Sequence, residues 1–258
     1  MKFQLLPSTF DDNGCSSPRQ HLTSFVIDDR VAIDAGSLGF AVNDIQRRQI
    51  RDVVLTHAHL DHIAGLPLFI DDLFSELDAP VRIHASEKVI EVLERDVFNW
   101  SVYPRFSELS NSNGAVMEYR PLSRNVDSHI AHLKITPLDV NHNVPSTGFV
   151  ISDSVSTVVM TGDTAEMAGF WDVVNAIDDL KAILVECAFP DELEELANSS
   201  FHMTPTRLKR ELEKFSNLSC PVYAINLKPR YRERTIAQLE ALKIDRLEIF
   251  KVGAAYEF

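Results

Sequence analysis

Between Thr56 and Gly65 the chain reads Thr-His-Ala-His-Leu-Asp-His-Ile-Ala-Gly, so His57, His59, Asp61 and His62 place three imidazoles and a carboxylate within six residues. Packing gains nothing from such a density of polar rings, whereas imidazole and carboxylate together suit zinc and similar transition ions. The run follows Asp52-Val53-Val54-Leu55-Thr56, a short apolar segment that reads as a buried strand. A strand-to-helix loop can aim alternating side chains at different ions: His57 and His59 can converge on one while Asp61 and His62 serve a second. Such a centre needs further ligands at the ends of later strands. His142 follows Leu138-Asp139-Val140-Asn141, Asp163 follows Val158-Val159-Met160-Thr161-Gly162, and His202 lies just before Thr204-Pro205. Asp163 can bridge the two ions, with His142 completing the first and His202 the second. His21, His84, His129 and His132 have no such setting and are expected to be ordinary surface or core residues.

The elements that must position these groups follow from periodicity. Thr23–Ile27 and Arg30–Asp34 read as strands joined by the turn-forming pair Asp28-Asp29. A mixed helical stretch runs through Val42, Ile45 and Ile50. From Ser86, an N-cap by residue type, Val89, Ile90, Val92, Leu93 and Val97 recur at helical spacing, which predicts an amphipathic helix. The stretch near 98–128 reads as an irregular excursion, in which Trp100, Tyr103 and Phe106 are expected to form a small satellite core rather than a stacking surface. Strands are expected again at 133–135, 148–151, 157–160, 182–185, 222–225 and 247–250. Thr204-Pro205 has the favoured order of N-cap and first helical residue, with Leu208, Leu212 and Phe215 on one face, and a last helix is expected near 234–242. No repeat, charge block or Pro/Gly linker divides the chain, so one domain over 1–258 is expected, built from two sheets covered by helices.

Composition narrows the partners. The 258 residues are 45% hydrophobic, enough for a large core, and 25 Lys+Arg against 38 Asp+Glu leave a net charge of −13. That balance argues against an extended groove neutralising many nucleic-acid phosphates. An anionic substrate must then be attracted locally. The N-terminus lacks the apolar core of a secretory signal, and no apolar stretch approaches the roughly 20 residues needed to cross a bilayer. Cys15, Cys187 and Cys220 are odd in number and widely spaced, as expected of reduced thiols. A cytoplasmic protein with no membrane partner is the expectation; a homodimer is left open.

The His-Ala-His-Leu-Asp-His run, the Ala32-Ile33-Asp34-Ala35-Gly36 segment, His142, the Thr161-Gly162-Asp163-Thr164 turn and His202 resemble the metallo-β-lactamase superfamily across nearly the whole chain. The resemblance implies an α/β fold, a four-layer αβ/βα sandwich with two mixed sheets flanked by helices. Within it, His57–Gly65 is similar to the signature of class II 3′,5′-cyclic-nucleotide phosphodiesterases. So are Val97-Phe98-Asn99, Ser146-Thr147-Gly148-Phe149, Glu186-Cys187-Ala188-Phe189-Pro190 and His202-Met203-Thr204-Pro205. The chain departs from that pattern at Leu66–Asp71, where small residues and a serine are usual, and at Ala165-Glu166-Met167.

The resemblance implies hydrolysis of cyclic AMP or cyclic GMP to the 5′-monophosphate by a hydroxide bridging two divalent ions. Zinc is the expected metal, with manganese and iron as alternatives. Asp61 is expected to orient the hydroxide or accept its proton, and the Ser146 and Thr147 hydroxyls to bind phosphate or shape the turn beside them. Glu186-Cys187-Ala188-Phe189 with His202 also resembles the tRNA 3′-processing nucleases of the superfamily, the alternative reading together with a lactonase-type hydrolase. Such nucleases need a basic clamp that this composition does not offer. A non-catalytic binding module is disfavoured by the complete ligand set.

Overall fold

In the computed structural model, which describes Met1–Phe258, Asp28 and Asp29 both take left-handed backbone, with φ of 49° and 57°. Two such residues in succession match the twist of a tight hairpin, and aspartate tolerates the conformation better than most side chains. They turn β2 (Phe25–Ile27) directly into antiparallel β3 (Val31–Ile33), as the Asp-Asp pair predicts. The contacts of the chain cluster into two compact units, Met1–Ser123 with Val252–Glu257, and Arg124–Lys251 with Phe258.

The first unit is a seven-stranded mixed sheet. It contains β1 (Lys2–Leu5), β2, β3, β4 (Asp52–Val54), β5 (Val81–Ala85), β8 (Met117–Pro121) and β16 (Ala255–Glu257), in the order β16-β1-β2-β3-β4-β5-β8. From β3 onward the pairs are parallel. Parallel strands need crossovers, and their apolar runs, buried throughout in β3 and β4, are the mark of strands covered on both faces. The crossovers carry α1 (Leu38–Ala41), α2 (Asp44–Gln49), α3 (Leu60–Ile63) and α4 (Leu66–Leu73). Asn43 and Gln46 form a reciprocal capping box at α2. Ser86 caps α5 (Glu87–Val92), as its residue type predicts, and the helix then widens into a π-helical turn over Leu93–Val97. Within the 98–128 stretch, β6 (Ser110–Asn111) and β7 (Gly114–Ala115) make a two-residue ladder. Phe106 is buried, packs against Phe98 and Tyr103, and belongs to the core of this unit, while Trp100 is exposed.

The second unit repeats the plan. Its sheet runs β15 (Leu247–Ile249), β14 (Val222–Ile225), β13 (Leu180–Glu186), β12 (Thr157–Met160), β11 (Thr147–Ser152), β10 (Leu133–Asp139) and β9 (Ser128–Ile130). The pairs from β9 to β12 are antiparallel and those from β12 to β15 parallel. The helices are α6 (Phe170–Asn175), α7 (Glu194–Ser200), α8 (Pro205–Leu212) and α9 (Arg232–Ala241). Leu208, Leu212 and Phe215 are all buried, as their spacing predicts. β12, β13 and β14 lie side by side, with Asp163 three residues past β12, Glu186 ending β13 and Asn226 directly after β14. No helix is long and apolar enough to cross a membrane.

Candidate metal centre

In the first unit the ligand loop is held by Asp34, a fully buried residue at the end of β3 whose φ is +59°. Left-handed backbone at a non-glycine residue is tolerated where surrounding bonds over-determine it. Here Asp34 Oδ1 accepts from the Thr56 amide (2.8 Å), and both carboxylate oxygens lie about 3 Å from the Thr56 hydroxyl, at 3.0 and 2.9 Å. Oδ2 is also 2.7 Å from His62 Nδ1. An ionised carboxylate only accepts, so Thr56 gives its proton to Asp34 and accepts one from His57 Nδ1, 2.9 Å away. Both buried imidazoles thereby donate through Nδ1.

His57 Nε2 approaches His59 Nδ1 to 3.1 Å, and the His57 and His62 rings are 4.1 Å apart. Ring nitrogens this close need a shared proton or a cation, and a carboxylate is at hand: Asp61 Oδ2 lies 3.9 Å from His62 Nε2. His59 ends the approach to α3 as its N-cap, and the extended backbone there is what brings His57 and His59 round while Asp61 and His62 enter the helix. Gly36 lets the Asp34 loop lie against this turn. A Cβ there would sit 1.9 Å from the Asp61 carbonyl oxygen, which accepts from the Thr23 amide at 2.8 Å.

In the second unit His142, Asp163 and His202 offer ligand atoms within 4.8 Å of one another. Phe201 closes α7 in left-handed backbone (φ 55°), and the His202 amide bonds back to the Ala197 carbonyl at 2.8 Å. His142 Nδ1 lies 3.0 Å from the Phe201 carbonyl, and His202 Nδ1 is paired with Glu186 Oε1. As in the first unit, Nδ1 of each ring faces a protein acceptor. Glu186 is fully buried at the end of β13 and also accepts from the Met203 amide at 2.8 Å. Burial pushes the Glu186 carboxyl up, with His202 working against that shift. For His202 burial opposes the charged ring, but the Glu186 carboxylate outweighs it and moves the pKa up. Asp163 is buried, and one of its oxygens accepts the Asn226 side-chain amide.

The neighbouring loops are fastened to these ligands. Arg207 donates to both oxygens of Glu166 and, at 2.8 Å, to the His202 carbonyl. Asn141 donates to the Glu166 carbonyl and to the Thr164 hydroxyl. The Ser146 hydroxyl donates to the Val144 carbonyl at 3.1 Å, and Thr147 opens β11 opposite Asp139.

Each set fits a divalent transition ion on donor chemistry: imidazole nitrogens and carboxylate oxygens, with one ring nitrogen of His57, His62, His142 and His202 held by a protein partner. Sequence reasoning gives no role to Asp34, Thr56, Glu186, Asn226 or Arg207. The signal for the two carboxylates is present, since each ends an otherwise apolar strand and has to be partnered there. His84, expected to be ordinary, pairs with buried Asp52 at 2.8 Å.

A beta-lactamase superfamily domain matches residues 30–218, well over half of the chain. A probable 3′,5′-cyclic-nucleotide phosphodiesterase of Yersinia pestis is 28% identical over 214 residues, covering 73% of this chain and 60% of that protein. The chain thus spans about three fifths of the length of such curated relatives. Among solved structures, unliganded yeast PDE1 superposes with a TM-score of 0.77 at 17% identity over 98% of both chains. Human tRNase Z, short form, reaches 0.69 at 14% identity, over 100% of this chain and 99% of that one. Likeness at such low identity shows the fold alone and does not separate one activity from the other. The chain therefore belongs to the metallo-β-lactamase superfamily, and its two mixed sheets with flanking helices are that superfamily's fold.

Proposed function

We propose that the protein is a metal-dependent phosphodiesterase that hydrolyses 3′,5′-cyclic nucleotides to nucleoside 5′-monophosphates. The observation that carries this reading is the matched preparation of the two ligand sets: His62 is backed by Asp34 and His202 by Glu186, and Nε2 is the proposed ligating atom of each. The proposed ligands are His57, His59, Asp61, His62, His142, Asp163 and His202, dividing between two ions with Asp163 shared. Divalent ions there, zinc or else manganese or iron, supply Lewis acidity toward phosphate oxygens and make an attacking water more acidic.

The chain's own groups do the rest. Asp61, about a third exposed, orients the attacking water and accepts its proton. Ser146 and Thr147, a few residues past His142, are proposed as further phosphate donors. The relatives named as cyclic-nucleotide phosphodiesterases support the substrate class. The net charge of −13 disfavours a tRNA substrate, which presents many phosphates at once.

Product identification tests the reading. Metal-reconstituted protein incubated with cyclic AMP or cyclic GMP is expected to release the 5′-monophosphate. Release of the 3′-monophosphate, or no turnover of either nucleotide by protein that has bound metal, would contradict it.

A further inference from the structure

Past β14 the chain reads Asn226-Leu227-Lys228-Pro229-Arg230-Tyr231-Arg232, three cations in five residues of a chain whose net charge is −13. The segment leaves the sheet at the ligand set of its own unit. Asn226, in left-handed backbone (φ 59°), donates its side-chain amide to Asp163. Leu227 then turns inward and is buried. Lys228 follows, half-buried, its amide bonded at 3.1 Å to the carbonyl of Ala188, two residues past the Glu186 that holds His202. The Tyr231 amide closes the turn on the Lys228 carbonyl at 2.9 Å. Phe189 lines the same place, its ring 5.6 Å from His202 and 6.0 Å from Tyr231.

We infer that Lys228 is a phosphate-binding residue, the cation that receives the anionic group of the substrate beside His142, Asp163 and His202. Three features support it. The backbone is pinned on both sides of the residue, so the side chain starts from a fixed place. Two residues earlier Asn226 donates its side-chain amide to Asp163, so the segment leaves the sheet against this ligand set. An ammonium group has three donors, so it can keep a protein partner and still donate to a phosphate oxygen. Of the neighbouring cations, Arg234 is already engaged with Glu192. Lys228 thus supplies the local attraction that an acidic chain needs for an anionic substrate. The substrate side of this inference rests on the phosphodiesterase reading; phosphate binding itself does not.

The test uses metal-loaded protein and compares wild type with Lys228→Met and Lys228→Arg. Metal content is measured by elemental analysis, inorganic phosphate binding by calorimetry, and KM and kcat with cyclic AMP. Lys228→Met is expected to keep its metal, weaken inorganic phosphate binding about tenfold and raise KM by a similar factor with kcat changed less. Lys228→Arg is expected to restore most of both. Wild-type values for phosphate and KM in Lys228→Met, loss of metal from that variant, or no phosphate binding by wild type would overturn the inference. Lys228-dependent phosphate binding in a protein that turns over no cyclic nucleotide would sustain it and contradict the functional reading instead.

Discussion

Asp34 and His62, 28 residues apart in sequence, meet at 2.7 Å in a fully buried pair that engages the Nδ1 of the ring. The same carboxylate orders His57 through Thr56, so one side chain sets the tautomer of two proposed ligands. Asp34→Asn keeps the shape but offers one acceptor oxygen where the carboxylate has two. Metal affinity is expected to fall by about 10–100-fold, a usual range for partners that orient metal ligands. Competition with a chromophoric chelator measures it, and wild-type affinity would mean that Asp34 serves only the fold.

Gly36 is needed for close approach rather than for a special φ. Its missing Cβ would lie 1.9 Å from the Asp61 carbonyl oxygen and 2.8 Å from the Thr23 amide. Both neighbours are backbone, so neither can turn aside. Gly36→Ala is expected to cost roughly 1–3 kcal/mol in urea unfolding and to weaken metal binding as well, because the displaced turn carries Asp61 and His62.

Asp163→Asn separates ligation from stability. The amide can still take part in hydrogen bonding with Asn226, but it cannot share a negative charge between two cations. Turnover is expected to fall far more than the unfolding free energy, because misplacing a reacting group is costly in rate. Elemental analysis alongside kinetics reads this directly: a variant with full metal content and wild-type turnover would assign Asp163 to the turn alone.

Acid sensitivity should come in part from the other end of β4. Burial alone would raise the Asp52 carboxyl, but hydrogen bonds and charge from Arg82 and His84 outweigh it and hold its pKa near about 2, against an ordinary 3.8. The folded pKa is depressed, so this stabilisation is complete above about pH 4 and is lost as pH falls toward 2. It amounts to about 2 kcal/mol. Asp52→Asn is expected to be less stable than wild type by that order at pH 7 and to converge with it near pH 2, measured by urea unfolding across pH.

The His/Asp cluster is legible because its signal is compositional: no core or surface rule puts three imidazoles and a carboxylate in six residues. Strands such as Thr157–Met160 and Val222–Ile225 were legible for a related reason, being short apolar runs between turn residues. What could not be read was which distant side chains meet. Glu186 reads locally as the polar end of a strand, and only the return of the chain through α7 to His202 makes it a partner. Arg207 looks like a solvated helix residue; its burial follows from Glu166 and the His202 carbonyl being folded over it. The π-helical turn at Leu93–Val97 likewise has no local signature, since the periodicity of Val89, Leu93 and Val97 continues an ordinary helix.

The central proposal is that the protein, loaded with divalent metal, hydrolyses a small cyclic phosphodiester. Its most direct test is kcat/KM of the metal-loaded protein for cyclic AMP, cyclic GMP, a precursor tRNA and a lactone, measured across a salt series. A ligand carrying one phosphate releases few counterions, so efficient turnover of a cyclic nucleotide with a shallow salt dependence is expected. Efficient tRNA cleavage with a steep salt dependence, or lactone opening, with no product from either cyclic nucleotide, would contradict the account.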